Sequence, residues 1–264
     1  MNTFTAWWPY RDFVVGSIRR DLAGRYRGSL LGKLWVVIQP LAMILIYTLV
    51  FSRVMHSRLP GVGGDFAYSI FLCAGLLPWG FFSDTLARCQ NMFLENSNLI
   101  KKSSFPRICL PIIVTGITGF NFLVIFSLFL LFLLFAGLFP GGELLLILPV
   151  LLLQTLLALG FGIAFGVAHV FFRDAGQIVG LGLQFGFWFT PIVYPPTILP
   201  EWAYGLMAAL NPMAGIVGWY QNIFLSGNTP ELITLLPAVI WTVVVIVIAW
   251  RLHAGRGDEI VDML

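Results

Sequence analysis

Apolar residues along this chain come in long, nearly unbroken runs instead of alternating with polar ones. A helix crossing a bilayer needs about 20 such residues, because the hydrocarbon layer is ~30 Å thick and each helical residue rises ~1.5 Å. Six stretches meet or approach that length: 34–51, 66–86, 108–139, 144–172, 177–193 and 232–250. The third and fourth exceed it, which predicts tilt or extension beyond the bilayer. No repeat or low-complexity linker divides them, so residues 1–264 read as a single all-α membrane domain with six transmembrane helices.

Between the fifth and sixth stretches the pattern breaks. Residues 194–226 hold Trp202, Tyr204, Trp219 and Tyr220, but also Pro195, Pro196, Pro200, Asn211 and Pro212. A helix in lipid must satisfy its own backbone, and so many breakers would leave groups unpaired. The segment predicts two short re-entrant helices on the outer side, joined around Asn211-Pro212. The alternative is a seventh span near 206–225, which would carry Arg251, Arg256 and the tail 251–264 to the outside.

Two segments outside the apolar runs carry further pattern. Within 1–33, Val14, Ile18, Leu22, Tyr26 and Leu30 recur every four residues, with Arg19, Arg20, Arg25 and Arg27 among them. That periodicity predicts an amphipathic helix along the cytoplasmic interface, its arginines on anionic lipid. A plain basic orientation signal is the simpler alternative. After the second stretch, Glu95-Asn-Ser-Asn-Leu-Ile-Lys-Lys-Ser-Ser-Phe-Pro-Arg107 is polar, basic and longer than a turn. It predicts a short helix over 91–102, ended by Pro106 and suited to docking in another protein's groove. An ordinary positively charged loop explains the composition as well.

Composition removes the soluble alternative. Of 264 residues, 59% are hydrophobic and 10% charged, and the mean hydropathy is +0.91; soluble domains are about 25% charged. With the N-terminus inside, only Arg53 and Arg58 of the 15 Lys and Arg fall outside. Basic residues are retained in the cytoplasm during insertion, so both termini are expected there. The net charge of +3 comes without a dense basic patch, which excludes nucleic acid as a partner.

Candidate chemistry is sparse. Cys73, Cys89 and Cys109 lack metal or redox spacing, and His56, His169 and His253 lie in separate segments, so no metal site is expected. Gly28-Ser-Leu-Leu-Gly32-Lys33-Leu34 resembles a phosphate loop but has one residue too few and no Ser or Thr after the lysine. Asp84 and Arg88 stand one turn apart at the cytoplasmic end of the second stretch, where they can pair. No acidic residue or histidine falls near a span's middle, which argues against ion-driven transport and against a charged filter. Aromatics are abundant instead, with Tyr47, Phe51, Trp79, Phe187, Trp188 and Tyr194 as candidate channel residues. Interface belts and lipid-facing rings are the ordinary explanation for most such positions. Gly160, Gly162 and Gly166, like Gly180, Gly182 and Gly186, offer small faces for close helix contact.

Read in order, several blocks resemble the membrane subunits of polysaccharide-exporting ATP-binding-cassette transporters. They are Arg20-Asp-Leu-Ala-Gly-Arg-Tyr-Arg-Gly-Ser-Leu-Leu-Gly-Lys-Leu-Trp35 with Gln39-Pro40, Cys73-Ala-Gly-Leu-Leu-Pro-Trp79, Glu95 to Lys102 with Phe105-Pro106, Phe172-Arg-Asp174, Thr190-Pro-Ile-Val-Tyr-Pro195 and Asn211-Pro212. The resemblance covers nearly the whole chain. It implies a half-transporter of the bacterial inner membrane that pairs with a second copy and docks two separate nucleotide-binding ATPase subunits, which bind the ATP and magnesium. The chain itself would hold no cofactor and no catalytic site. The family's coupling helix falls on 91–104, with Asn91, Leu94, Glu95, Asn98, Leu99, Lys101 and Lys102 as its docking residues; its gate helix falls on about 8–29, with Arg19, Arg20, Arg25, Tyr26 and Arg27. The implied substrate is a polysaccharide on a lipid anchor, with a closer match to O-antigen and teichoic-acid permeases than to capsule permeases. An exporter of drugs or small lipids, or a glycan-modifying membrane enzyme, are the rival expectations.

Overall fold

The computed structural model describes residues 8–24, 31–50, 66–102, 106–226, 230–255, 259 and 263–264. Among them the regular structure is entirely helical: α1 (Arg11–Gly24), α2 (Trp35–Thr48), α3 (Ala67–Glu95), α4 (Ser97–Lys102), α5 (Cys109–Phe135), α6 (Ile147–Phe171), α7 (Ala175–Phe189), α8 (Glu201–Leu210), α9 (Pro212–Ser226) and α10 (Leu236–Gly255). Four helices are long and apolar enough to cross a membrane: α3, α5, α6 with the 3-10 turn that leads into it, and α10.

The centre of the molecule is α3. It packs against α5, α6 and α9, and nearly three-quarters of its most apolar window is buried inside the protein. Among the four long helices α3 is the least apolar and the most buried, because lipid covers the others. On its N-terminal half it is held by α9, whose Met213, Ile216, Tyr220 and Ile223 are fully buried. Gln221 of α9 donates its amide to the Pro191 carbonyl at 3.0 Å, and Gln154 of α6 donates to the Pro78 carbonyl of α3 at 2.7 Å. Amide side chains thus answer backbone carbonyls around the prolines that interrupt the regular ladder. α6 lies between α3 and α10, and α10 exposes most of its surface to the surroundings.

One end of the molecule gathers α4, the C-terminal ends of α3, α6 and α10, and the start of α5. Ile100, Phe93, Leu110 and Val170 are buried together there, with Leu252 and Leu264 packed against them. The chain's last residue therefore shares an end with the loop between α3 and α5.

Several helices end earlier than the apolar runs predict, each for a local reason. The third run is expected to 139, yet α5 stops at Phe135. Gly137 takes φ 71°, and Leu138 N–H reaches back to the Leu133 carbonyl at 2.9 Å, a Schellman stop. The fifth run is expected to 193, yet α7 stops at Phe189. Thr190 turns extended (φ −96°, ψ 135°) because Pro191 follows it. At 15 residues α7 is about 22 Å long, short of a full bilayer core. Residues 194–226 do form two short helices, α8 and α9, broken at Asn211-Pro212 as predicted. Asn211 caps α9, its Oδ1 accepting Met213 N–H at 3.0 Å while its amide donates to Thr190 Oγ at 2.8 Å.

Candidate docking and translocation surfaces

The predicted helix over 91–102 is not one helix. Asn91, Leu94 and Glu95 belong to the last turns of α3, and Asn98, Leu99, Lys101 and Lys102 to α4. The break falls at Asn96, whose own side chain donates to the Met92 carbonyl at 2.8 Å. Asparagine favours such local bonding over helix continuation, a signal visible in the sequence and not used. The two pieces divide the labour of the segment. Ile100 is buried and Leu99 half-buried against Phe93, Leu110 and Val167, so α4's apolar side is spent on its own protein. Glu95, Asn98 and Lys101 face outward and carry both charge signs. The outward side of this segment is therefore polar, and of the docking residues the resemblance implies, Leu99 is half-buried against its own protein. The side chain of Lys102 and all of Phe105 lie outside the described residues.

The predicted N-terminal helix is described over Arg11–Gly24 as α1; Arg25, Tyr26 and Arg27 lie outside the described residues. Its apolar stripe does not simply face lipid. Val14 is buried, and Ile18 lies against Gly116 of α5, where an added Cβ would press on its Cδ1. The stripe is a protein contact, while Arg19 and Arg20 stay exposed on the other side. Arg20 donates to Ser17 Oγ at 2.9 Å and stacks over the Phe13 ring, which fixes it along the helix instead of leaving it free.

Of the candidate channel aromatics, Trp79, Phe187, Trp188 and Tyr194 form one continuous group. Trp79 of α3 is buried, 6.0 Å from the Phe187 ring of α7, and Phe187 is 5.4 Å from Trp188 in an edge-to-face pair. Gly186 makes room for Trp79, whose Cη2 would lie 2.9 Å from any Cβ there. Trp188 turns outward with 61% of its surface exposed. Tyr194 donates its hydroxyl to the Trp188 carbonyl at 3.0 Å, and burial pushes its phenol above the usual range, so it stays neutral. Trp188, Tyr194, Trp202 and Leu206 line an open cavity of about 700 Å³ between α7 and α8. Tyr47 sits on α2 with its side chain outside the described set, and Phe51 is outside it altogether.

The glycines divide as well. Gly160 meets Val245 of α10, and Gly162 and Gly166 meet Cys89 and Phe93 of α3, so these three set the α6 contacts. Gly180 and Gly182 have nothing within 4 Å. Around them Ile178, Leu181, Phe185 and Trp188 form an exposed stripe at helical spacing, and only Ala175 and Val179 of α7 are buried. Asp84 accepts from Arg88 Nε at 2.8 Å, the pairing their spacing predicts. Among the described residues no group of His, Cys, Asp or Glu is placed to hold a metal.

These features define a multi-pass membrane protein of transporter type: a buried central helix, an exposed polar helix at one end, and a short, unpartnered helix rich in aromatics. Comparison with known proteins gives the particular family. Residues 14–225 match the ABC-2 type transporter family, and the chain belongs to it. It is 32% identical over 218 residues to the O-antigen export system permease protein RfbA of Klebsiella pneumoniae, covering 82% of each chain. The protein of the same name in Myxococcus xanthus is 31% identical over 258 residues, 97% of each chain. The polysialic acid transport protein KpsM of Escherichia coli is 24% identical over 242 residues, covering 90% of this chain and 91% of that one.

Proposed function

We propose that this chain is the membrane half of an exporter that moves a lipid-linked polysaccharide, of O-antigen type, across the bacterial inner membrane. The observation that carries the reading is the end-to-end match, at 31–32% identity, to permeases named for O-antigen export, against 24% for the polysialic acid protein. In this reading both termini are cytoplasmic, α2 and α7 are the first and fifth of six spans, and α8 and α9 are re-entrant from the outer side. Two copies pair so that α2 and α7 border a shared path. The shortness of α7 supports this, because a helix that ends inside the bilayer is tolerated only where it meets protein or a water-filled cavity.

Two separate nucleotide-binding subunits, carrying the ATP and magnesium, dock on Glu95, Asn98 and Lys101 beneath. Binding of ATP closes them, and α4 passes the motion to α3, whose last turns it adjoins. Coupling of this kind needs the partner to bind the two states with different affinity. Trp188, Tyr194 and Trp202 then offer stacking faces to sugar rings at the outer end of the path. Reversing charge with Lys101→Glu and Lys102→Glu together tests the docking surface. The expected result is loss of the ATPase subunit from the purified complex, with loss of glycan export. Unchanged co-purification and export would overturn the assignment of α4.

A further inference from the structure

The last four carbonyls of a helix have no partner within it and must find one elsewhere. At the C-terminal end of α7 all four do. Thr190 answers two of them, its hydroxyl donating to the Gly186 carbonyl at 2.7 Å and its N–H to the Phe187 carbonyl at 3.3 Å. Tyr194 donates to the Trp188 carbonyl at 3.0 Å, and the Asn211 amide to the Phe189 carbonyl at 3.2 Å. Past the helix, the Val193 carbonyl accepts the Tyr68 hydroxyl of α3, and the Pro191 carbonyl accepts the Gln221 amide of α9 at 3.0 Å. The other end of α7 is held differently: Asp174 provides no side-chain cap, and Ala175 and Val179 hold the first turns by packing.

Gln221 occupies the centre of this joint. It is buried, and the same Nε2 that serves Pro191 also reaches the Phe71 carbonyl of α3 at 3.4 Å. A Cβ built on Gly75 of α3 would lie 2.9 Å from that nitrogen and 3.3 Å from Ile192 Cα, so the glycine lets the turn lie close against α3. Drawing the turn away from α9 would strand the buried Pro191 carbonyl, and α9 is itself packed on α3. The turn, α9 and the N-terminal half of α3 are therefore held as one body.

The same helix reaches the opposite end of the molecule. α3 runs 29 residues, about 43 Å, and its last turn adjoins α4. Pro78 would weaken it midway, but the Gln154 amide of α6 braces the Pro78 carbonyl. α3 is thus a continuous rod, with the exposed polar helix at one end and the turn after α7 at the other.

We propose that Gln221 is a positioning residue, joining α3 to the turn after α7 so that displacement of α3 at its α4 end is delivered to the aromatic cavity beside Trp188 and Tyr194. The proposal rests on the reading in which α4 docks the ATPase subunits, and adds the route by which their nucleotide state reaches the far end of the path. A link of this kind is physical where breaking one bond uncouples the two ends.

The test uses the full chain in complex with its ATPase partner, the native cysteines replaced by alanine, and an environment-sensitive dye clicked onto a non-natural residue at position 188. In the parent complex, ATP binding should change the dye's signal. Gln221→Leu removes the shared donor and keeps an apolar side chain; the partner should still co-purify and bind ATP, while the dye response falls several-fold. Tyr68→Phe, which loses one hydroxyl and little packing, should lower the response too. Adding Gly75→Cys and Ile192→Cys to Gln221→Leu sets two cysteines within disulfide range, and oxidation should restore the response that reduction removes. A full response in either single variant, no response in the parent, or a formed disulfide that leaves the response lost would each overturn the proposal. So would a parallel loss of partner binding and dye response in both single variants, which marks general destabilisation. The dye is read without glycan, so these outcomes leave the export reading standing, whereas an intact dye response without glycan export would sink that reading alone.

Discussion

At Gly162 the missing side chain is what lets α6 lie against α3. A methyl there would fall on the Cβ of Cys89, and one at Gly166 would fall 2.8 Å from the Cys89 carbonyl. Because that carbonyl is backbone inside a packed helix, it cannot swing aside. Gly166→Ala should therefore lower unfolding stability by about 1–3 kcal/mol, the usual cost of overpacking. Gly182→Ala meets nothing in the single chain and should raise its stability by up to about 1 kcal/mol through helix propensity. Thermal unfolding of the two variants in the same detergent checks the contrast. The sequence shows six similar glycines on two helices; only the neighbours separate those that are packed from those that are open.

Among the elements, α1 gives the clearest case of a role changed by packing. The four-residue stripe of Val14, Ile18 and Leu22 is legible in the sequence, and its helix forms. Which surface the stripe meets is not legible, because an apolar face suits lipid and protein alike. Gly116 decides it by leaving room for Ile18 on α5. Gly116→Leu should lift α1 away without unwinding it, and trypsin added to the cytoplasmic side should then cut at Arg19 and Arg20 several-fold faster. An unchanged cleavage rate would mean that the Ile18 contact does not hold the helix. The same logic applies to α4, where Leu99 reads as a docking residue in the sequence and packs, beside buried Ile100, on its own protein in the fold.

At the scale of the whole molecule, α7 stands apart. It touches α3 and α6 lightly, and its stripe of Ile178, Leu181, Phe185 and Trp188 faces away from the bundle. If two copies pair through α2 and α7 as proposed, Leu181 of one lies near α2 of the other. The double variant Leu181→Cys, Ile38→Cys should cross-link between copies in native membranes. A control on the lipid-facing side, Val243→Cys with Ile38→Cys, should not. The native Cys73, Cys89 and Cys109 are buried, so their background should be small. Cross-linking of the control pair alone would place the contact on α10 and overturn the arrangement.

What the sequence determined by itself is whatever depends on the chain's own run of residues. Long apolar runs fix membrane residence, prolines and asparagines set the break at Asn211-Pro212, and one-turn spacing pairs Asp84 with Arg88. The ends of the runs were less legible, since Gly137 and Pro191 stop helices in the middle of apolar stretches where hydrophobicity continues. Only the tertiary structure decided which apolar residues are core and which are surface. In a lipid-solvated protein both look alike in sequence, because lipid imposes no polar outer face. Burial of α3 and exposure of α7 both follow from how helices pack on one another, and hydropathy carries no record of that.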